Sequence, residues 1–224
     1  MKAILVSVVF LNLFLGIRGE SFAKYWVVEQ DFLKMGKKEI YEQEKKKSLD
    51  IKYLQQVIGL EDLENPQYVF FMPIDNLSSL EQIPPVKEQE QPVLCSCLHY
   101  TIYSLHQWLD KASFHENLVF SKARPYCSYV LYDITPGSQK FFEEHLQKIA
   151  LKQQVSSPHA WGAWRVIMGV DTPKYLLCAS FATKEELKDA HLDELWEEPA
   201  IKEIIRNKKG GWMKKSEFFS QKQK

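Results

Sequence analysis

Apolar positions along this chain form a series that is met twice. In "PQYVFFMPIDNLSSLEQI" (Pro66 to Ile83) and "PKYLLCASFATKEELKDA" (Pro173 to Ala190), a Pro and a Tyr two residues later open an apolar run, and Leu80 and Leu187 stand at the same distance after the Pro. Upstream of each, a β-branched and aromatic run predicts a strand: "KYWVVEQ" (Lys24 to Gln30) and "YVLYDI" (Tyr129 to Ile134). Each strand leads into a stretch of helix formers, "KMGKKEIYEQEKKK" and "TPGSQKFFEEHLQKIALKQQ". In the second, Thr135 is placed to cap and Pro136 sits at the first turn. Both helix starts share a Gly, two bulky apolar residues and a Glu: Gly36, Ile40, Tyr41, Glu42 and Gly137, Phe141, Phe142, Glu143. A "VI" strand follows in each half, Val57-Ile58 with Gly59 and Val166-Ile167 with Gly169. The offset is 101 between Gly36 and Gly137 and 107 between Pro66 and Pro173, and a loop insertion of six residues accounts for the difference.

Each half therefore reads strand, helix, strand, strand, helix. With a fourth strand, that is the βαββαβ ferredoxin-like unit. The first half's fourth strand is expected near "ENLVFSK" (Glu116 to Lys122); no stretch presents itself as the second half's. Between the halves, "EQIPPVKEQEQP" (Glu81 to Pro92) is a linker by its prolines and charges. In "VLCSCLHYTIYSLHQWLD", Leu94, Leu98, Ile102, Leu105 and Leu109 recur at three- and four-residue steps, which predicts an amphipathic connecting helix. "DELWEEPAIKEIIRNKKGGWMKKSEFFSQKQK" (Asp193 to Lys224) reads as a C-terminal helix, a Gly-Gly break and a frayed basic tail.

The repeated elements resemble the dimeric α/β-barrel superfamily, which includes antibiotic-biosynthesis-type monooxygenases, NIPSNAP-like proteins and haem-degrading oxygenases. The resemblance spans roughly Tyr25 to Leu192 and is architectural. It implies an α+β fold in which two ferredoxin-like halves close one α/β barrel within a single chain, whereas most members build theirs from two chains. The expected organisation is a leader at 1–23, a first half at 24–92, a connecting helix and fourth strand at 93–125, a second half at 126–192 and a helical, basic tail at 193–224.

Composition narrows the function. The chain has 224 residues, 45% hydrophobic and 13% aromatic, and a formal charge of zero, so it has a core and no global attraction for nucleic acid. Lys2, the apolar run "AILVSVVFLNLFLGI" (Ala3 to Ile17) and the small residues of "SFA" (Ser21 to Ala23) have the layout of a secretory signal peptide, with export and cleavage near Ala23 expected. Export permits disulfides among Cys95, Cys97, Cys127 and Cys178, in any of three connectivities. Their spacing matches no zinc signature, and no metal is expected. From Arg206 onward seven basic residues face Glu217 alone, interleaved with Trp212, Phe218 and Phe219, a composition open to contact with an anionic membrane surface or to plain solvation.

Candidate chemistry concentrates in "SPHAWGAWRVIMG". As a strand it puts His159, Trp161 and Arg165 on one face, taken as the barrel interior, and Trp164, Val166 and Met168 on the other, taken as the helix-covered side. Trp161 would stack on a planar ligand, Arg165 grip its carboxylate and His159 act as base or ligand. His145 joins them as a candidate, because helical histidines serve the pocket in some members of the superfamily. The segment His99, Tyr103, His106, Asp110 reads as the polar face of the connecting helix. No G-x-S-x-G, H-E-x-x-H, P-loop or G-x-G-x-x-G occurs. The pocket Asn that the haem-degrading relatives carry on their first strand has no counterpart in "KYWVVEQ" or "YVLYDI". The expected function is binding of a small aromatic or carboxylate-bearing molecule in the barrel, by a monomer or homodimer. The alternative is a monooxygenase acting on a phenolic or quinol-like substrate or on haem, and neither reading names a cofactor.

Overall fold

The structure is a computed structural model that describes residues 23–48, 57–74, 76–78, 99–156, 159–169, 171–188, 198–216 and 219. Residues 1–22 of the expected leader, Cys95, Cys97, Phe218 and the linker at 81–92 lie outside those residues.

The first half contributes β1 (Tyr25–Leu33), α1 (Lys38–Ser48), β2 (Ile58–Asp62), β3 (Gln67–Ile74) and β4 (His99–Trp108). The second contributes β5 (Tyr126–Ile134), α2 (Gln139–Ser156), β6 (Ala160–Met168), β7 (Lys174–Phe181), α3 (Lys184–Lys188), α4 (Pro199–Ile204) and β8 (Ile205–Lys215). The strands close an eight-stranded barrel in the order β1-β3-β2-β8-β5-β7-β6-β4, all neighbours antiparallel. Within it each half has the ferredoxin-like order fourth-first-third-second, β4-β1-β3-β2 and β8-β5-β7-β6. The halves join where β2 of one meets β8 of the other, and β6 meets β4. Closure removes the open sheet edges that would otherwise invite aggregation.

Equivalent positions do equivalent work. β1 and β5 share one alternation of buried and half-buried positions. Gly36 and Gly137 both adopt positive φ, 72° and 91°, where the chain turns from the first strand into the helix and a side chain would be strained. The Tyr68 hydroxyl donates to Glu42, and the Tyr175 hydroxyl donates to Glu143 at 2.7 Å. These residues are the Glu of each helix start and the Tyr of each Pro-x-Tyr strand. Gly59 and Gly169 are not equivalent: Gly59 lies inside β2 opposite Phe70, while Gly169 follows β6 at φ 87°.

Three predicted elements change. The expected connecting helix is β4 over His99–Trp108, paired along its length with β1. The three- and four-residue spacing of its leucines coexists with alternation of inward Ser104, His106 and Trp108 and outward Thr101, Tyr103 and Leu105, and its Tyr, Thr, Ile and Trp content suits a strand. The strand expected at Glu116 to Lys122 is a 3₁₀ turn, Glu116–Leu118, flanked by left-handed His115 (φ 52°) and Phe120 (φ 56°). The basic tail is β8, paired with β5 from Tyr126↔Lys214 to Ile134↔Ile205. Trp212 packs against the second half's core, and Phe219 is buried among Tyr41, Tyr68 and Phe70. Two of the aromatic groups considered for a membrane surface are therefore used inside the protein.

Candidate functional site: the barrel cavity

The inner face of the barrel carries Trp26, Phe71, Trp108, Phe120 and Trp164, which meet in one aromatic plug. Phe120 stacks on Trp164 at 5.8 Å and 19°, and packs 4.8 Å from Phe71. The 3₁₀ turn before it and its own left-handed backbone place this ring in the barrel, and the Phe120 carbonyl accepts from Lys215 Nζ at 2.8 Å.

Beside the plug is a cavity of about 70 Å³, lined by apolar side chains of β1, β2, β3, β5, β7 and β8 together with Gln30, Gln67, His106, Tyr129, Cys178 and Lys209. The volume suffices for a few waters or a small organic molecule and is below the roughly 300–1,000 Å³ of drug-sized sites. Lys209 is exposed and is the one charged residue of the lining. Gly211 faces the Tyr129 ring, where an added Cβ would come within 3.0 Å of the phenol oxygen. His106 is the deepest polar group, 3% exposed. Its Nε2 is 2.8 Å from Ser104 Oγ, while its Nδ1 has no hydrogen-bond partner within the protein. Burial pushes its pKa down to about 3, so the ring is neutral at physiological pH and offers one donor and one acceptor. Burial likewise raises the Tyr129 phenol, which stays protonated.

The proposed quartet is not in this cavity. Strand β6 faces opposite to the expected direction: Ala160 and Trp164 point inward, whereas Trp161 and Ala163 pack with Phe142, Leu146 and Ala150 of α2. Both faces of β6 are apolar, since one meets the plug and the other a helix, so alternation alone cannot tell them apart. Arg165 lies on the outer face, 3.3 Å from Glu143 Oε1 and 2.7 Å from Gln107 Oε1. His145 Nδ1 is 3.3 Å from Glu198 Oε2, and His159 packs against Phe181 at 4.6 Å. None of these four residues lines the cavity described above. His106 was hidden by the helical reading of β4; alternation within "HYTIYSLHQW" is the signal that places it beside Ser104 and Trp108 on one face.

A second polar constellation lies under α1. Asp31 accepts from Tyr41, Thr101 and Lys45, and Lys45 also pairs with Glu29. Burial raises Glu29, assisted by neighbouring Asp31 and opposed by Lys45; the Lys45 charge and these hydrogen bonds outweigh burial to lower Asp31. Its carboxylates are satisfied by protein donors, which suits a structural role.

No family model and no curated protein matches the chain. Solved structures do. An anthrone oxidase-like protein superposes with a TM-score of 0.59 at 9% identity, over 86% of this chain and 92% of that one. Chlorite dismutase from Candidatus Nitrospira defluvii gives 0.54 at 11%, over 88% and 95%. A Fusobacterium nucleatum protein provisionally named a monooxygenase gives 0.56 at 12%, over 87% and 93%. The chain shares the α/β-barrel fold of these structures. At these identities the likeness is one of fold, and chemistry has to be argued from the residues of this chain.

Proposed function

We propose that the protein binds a small, largely apolar molecule in the barrel cavity, with His106 as its polar anchor. One observation carries this reading: a buried, neutral imidazole on the cavity wall keeps one ring nitrogen without a protein partner. An unpaired buried polar atom costs about 1–3 kcal/mol, which a ligand hydroxyl or carbonyl would recover. Lys209 at the rim favours a ligand with a carboxylate at its other end, and the lining favours a body no larger than a small ring. The paired Glu–Tyr bonds of the two halves support descent from one duplicated unit. The composition of residues 1–23 supports export.

A monooxygenase acting on a phenol or quinol is the second reading, favoured by the oxidase and monooxygenase names among the fold neighbours. A base with a pKa of about 3 takes protons poorly at neutral pH, which favours anchoring over proton abstraction by His106. Haem does not fit this cavity, whose volume of about 70 Å³ is too small for the macrocycle.

Thermal shift and calorimetry with phenol, benzoate and 4-hydroxybenzoate test the binder. Saturable stabilisation is expected, lost in His106→Ala and retained in Arg165→Ala. Oxygen uptake with hydroquinone that disappears in His106→Ala would instead establish the oxygenase, and no response to any of the three ligands would retire the cavity as a binding site.

A further inference from the structure

The barrel interior brings together sulfur atoms that lie far apart in sequence. Cys127 on β5 stands directly opposite Met213 on β8. On the other side of β5, Tyr129 is opposite Cys178 and Cys127 is opposite Ser180, so Cys178 is the diagonal neighbour of Cys127. Directly opposed residues hold their Cβ atoms about 4.5–5.5 Å apart, and diagonal ones remain within reach of long side chains. Both thiols belong to one buried cluster of the barrel interior, and the Cys127 thiol donates to the Ser128 carbonyl at 3.4 Å. Cys127 and Cys178 are each 1% exposed and Met213 5%, and both cysteines are free thiols. Cys178 and Met213 form part of the cavity wall, which gives the cluster an entry path.

We propose that Cys127, Cys178 and Met213 form a binding site for a soft monovalent cation, with Cu(I) as the physiological candidate. Thiolate and thioether ligands select Cu(I) over hard cations such as Mg²⁺ and Ca²⁺, which need oxygen ligands. Among the described residues no trio of His, Cys, Asp or Glu is placed to hold a metal, so the thioether completes the set. Binding through both cysteines displaces two thiol protons to solvent and leaves a bis-thiolate Cu(I) site with one net negative charge, for which Lys209 of the same cavity lining is the available counter-charge. The site adjoins the ligand cavity but does not depend on a ligand being there.

The test uses the full mature chain with Cys95→Ser and Cys97→Ser, so that the C-x-C pair cannot contribute. The reduced protein is titrated anaerobically with Cu(I) against a chromogenic chelator. One retained equivalent is expected, lost in Cys127→Ala and in Cys178→Ala and weakened in Met213→Leu. X-ray absorption should show a sulfur-only shell that loses one scatterer in Met213→Leu, which keeps the test valid where a cysteine variant fails to fold. Copper that stays equally bound in folded Cys127→Ala, or a shell dominated by nitrogen or oxygen, would overturn the site. So would failure to retain copper, or a Cys127–Cys178 disulfide in protein purified from its own host.

Discussion

His106 and Arg165 show how one side chain's setting decides its role. Both are polar residues on strands of the same barrel, yet one faces the cavity and the other faces a helix. For His106, the folded-state pKa of about 3 lies below the ordinary 6.5, so its stabilising contribution is complete above 6.5 and is lost as pH falls toward 3. The wild-type melting temperature should therefore drop between pH 7 and pH 4, and the drop should be visibly shallower in His106→Gln. Comparing the two proteins removes the parallel contributions of His145 and His159, whose pKa values are also lowered by burial, and the opposing one of Glu29. Identical pH slopes would show that His106 is not held neutral. For Arg165, the pair with Glu143 is partly solvated, its side chain being 39% exposed, so Arg165→Ala should cost only about 0.5–1 kcal/mol and leave ligand affinity unchanged. Denaturant titration and calorimetry check both halves of that statement. The residues of "AWGAWRVIM" announced a buried strand correctly; which face met the barrel depended on partners in other strands and was not legible locally.

At the level of elements, the two halves fill one helix–sheet interface with different chemistry. At an offset of 101, Glu29, Asp31, Tyr41 and Lys45 of the first half stand where the second has Val130, Tyr132, Phe142 and Leu146. The fold itself therefore does not require the charges. Lys45→Met alone leaves two buried carboxylates facing each other and should destabilise by about 3–5 kcal/mol. Replacing all four together with the second half's residues, Glu29→Val, Asp31→Tyr, Tyr41→Phe and Lys45→Leu, should be neutral or stabilising relative to wild type. Urea unfolding of the two variants checks the contrast; a fourfold variant as unstable as the single one would mean that the network, not its completeness, holds α1 in place. Helices and strands with strong local periodicity were readable from sequence, including both Pro-x-Tyr strands and both first helices. β4 and β8 were not. In β4 the leucine spacing satisfied a helix as well as a strand. In β8, "RNKKGGW" has little strand propensity of its own, and its order comes from pairing with β5, a long-range contact that no local window contains.

For the molecule as a whole, closing the barrel within one chain removes the need for a second copy to complete it, and it ties the N-terminal boundary into the fold. The Trp26 indole donates to the Ala23 carbonyl at 2.7 Å, and the Trp108 amide donates to the Lys24 carbonyl at 2.8 Å. Ala23 also packs against the aromatic plug. Removal of a signal peptide after Ala23 would take away the carbonyl to which the Trp26 indole donates. One such hydrogen bond is worth about 1 kcal/mol, or roughly 2–4 °C in a chain of this size. Recombinant protein starting at Lys24 should thus melt a few degrees below protein starting at Glu20. Intact-mass analysis of protein from its own host should find an exported form beginning within Glu20 to Lys24, and Met1 retained on a cytosolic form would refute export. If the host's form begins at Lys24, Trp26→Phe should cost less in it than in the chain that starts at Glu20, because only the longer chain keeps the Ala23 acceptor. Equal cost in the two chains would mean that the Ala23 contact contributes nothing to the fold.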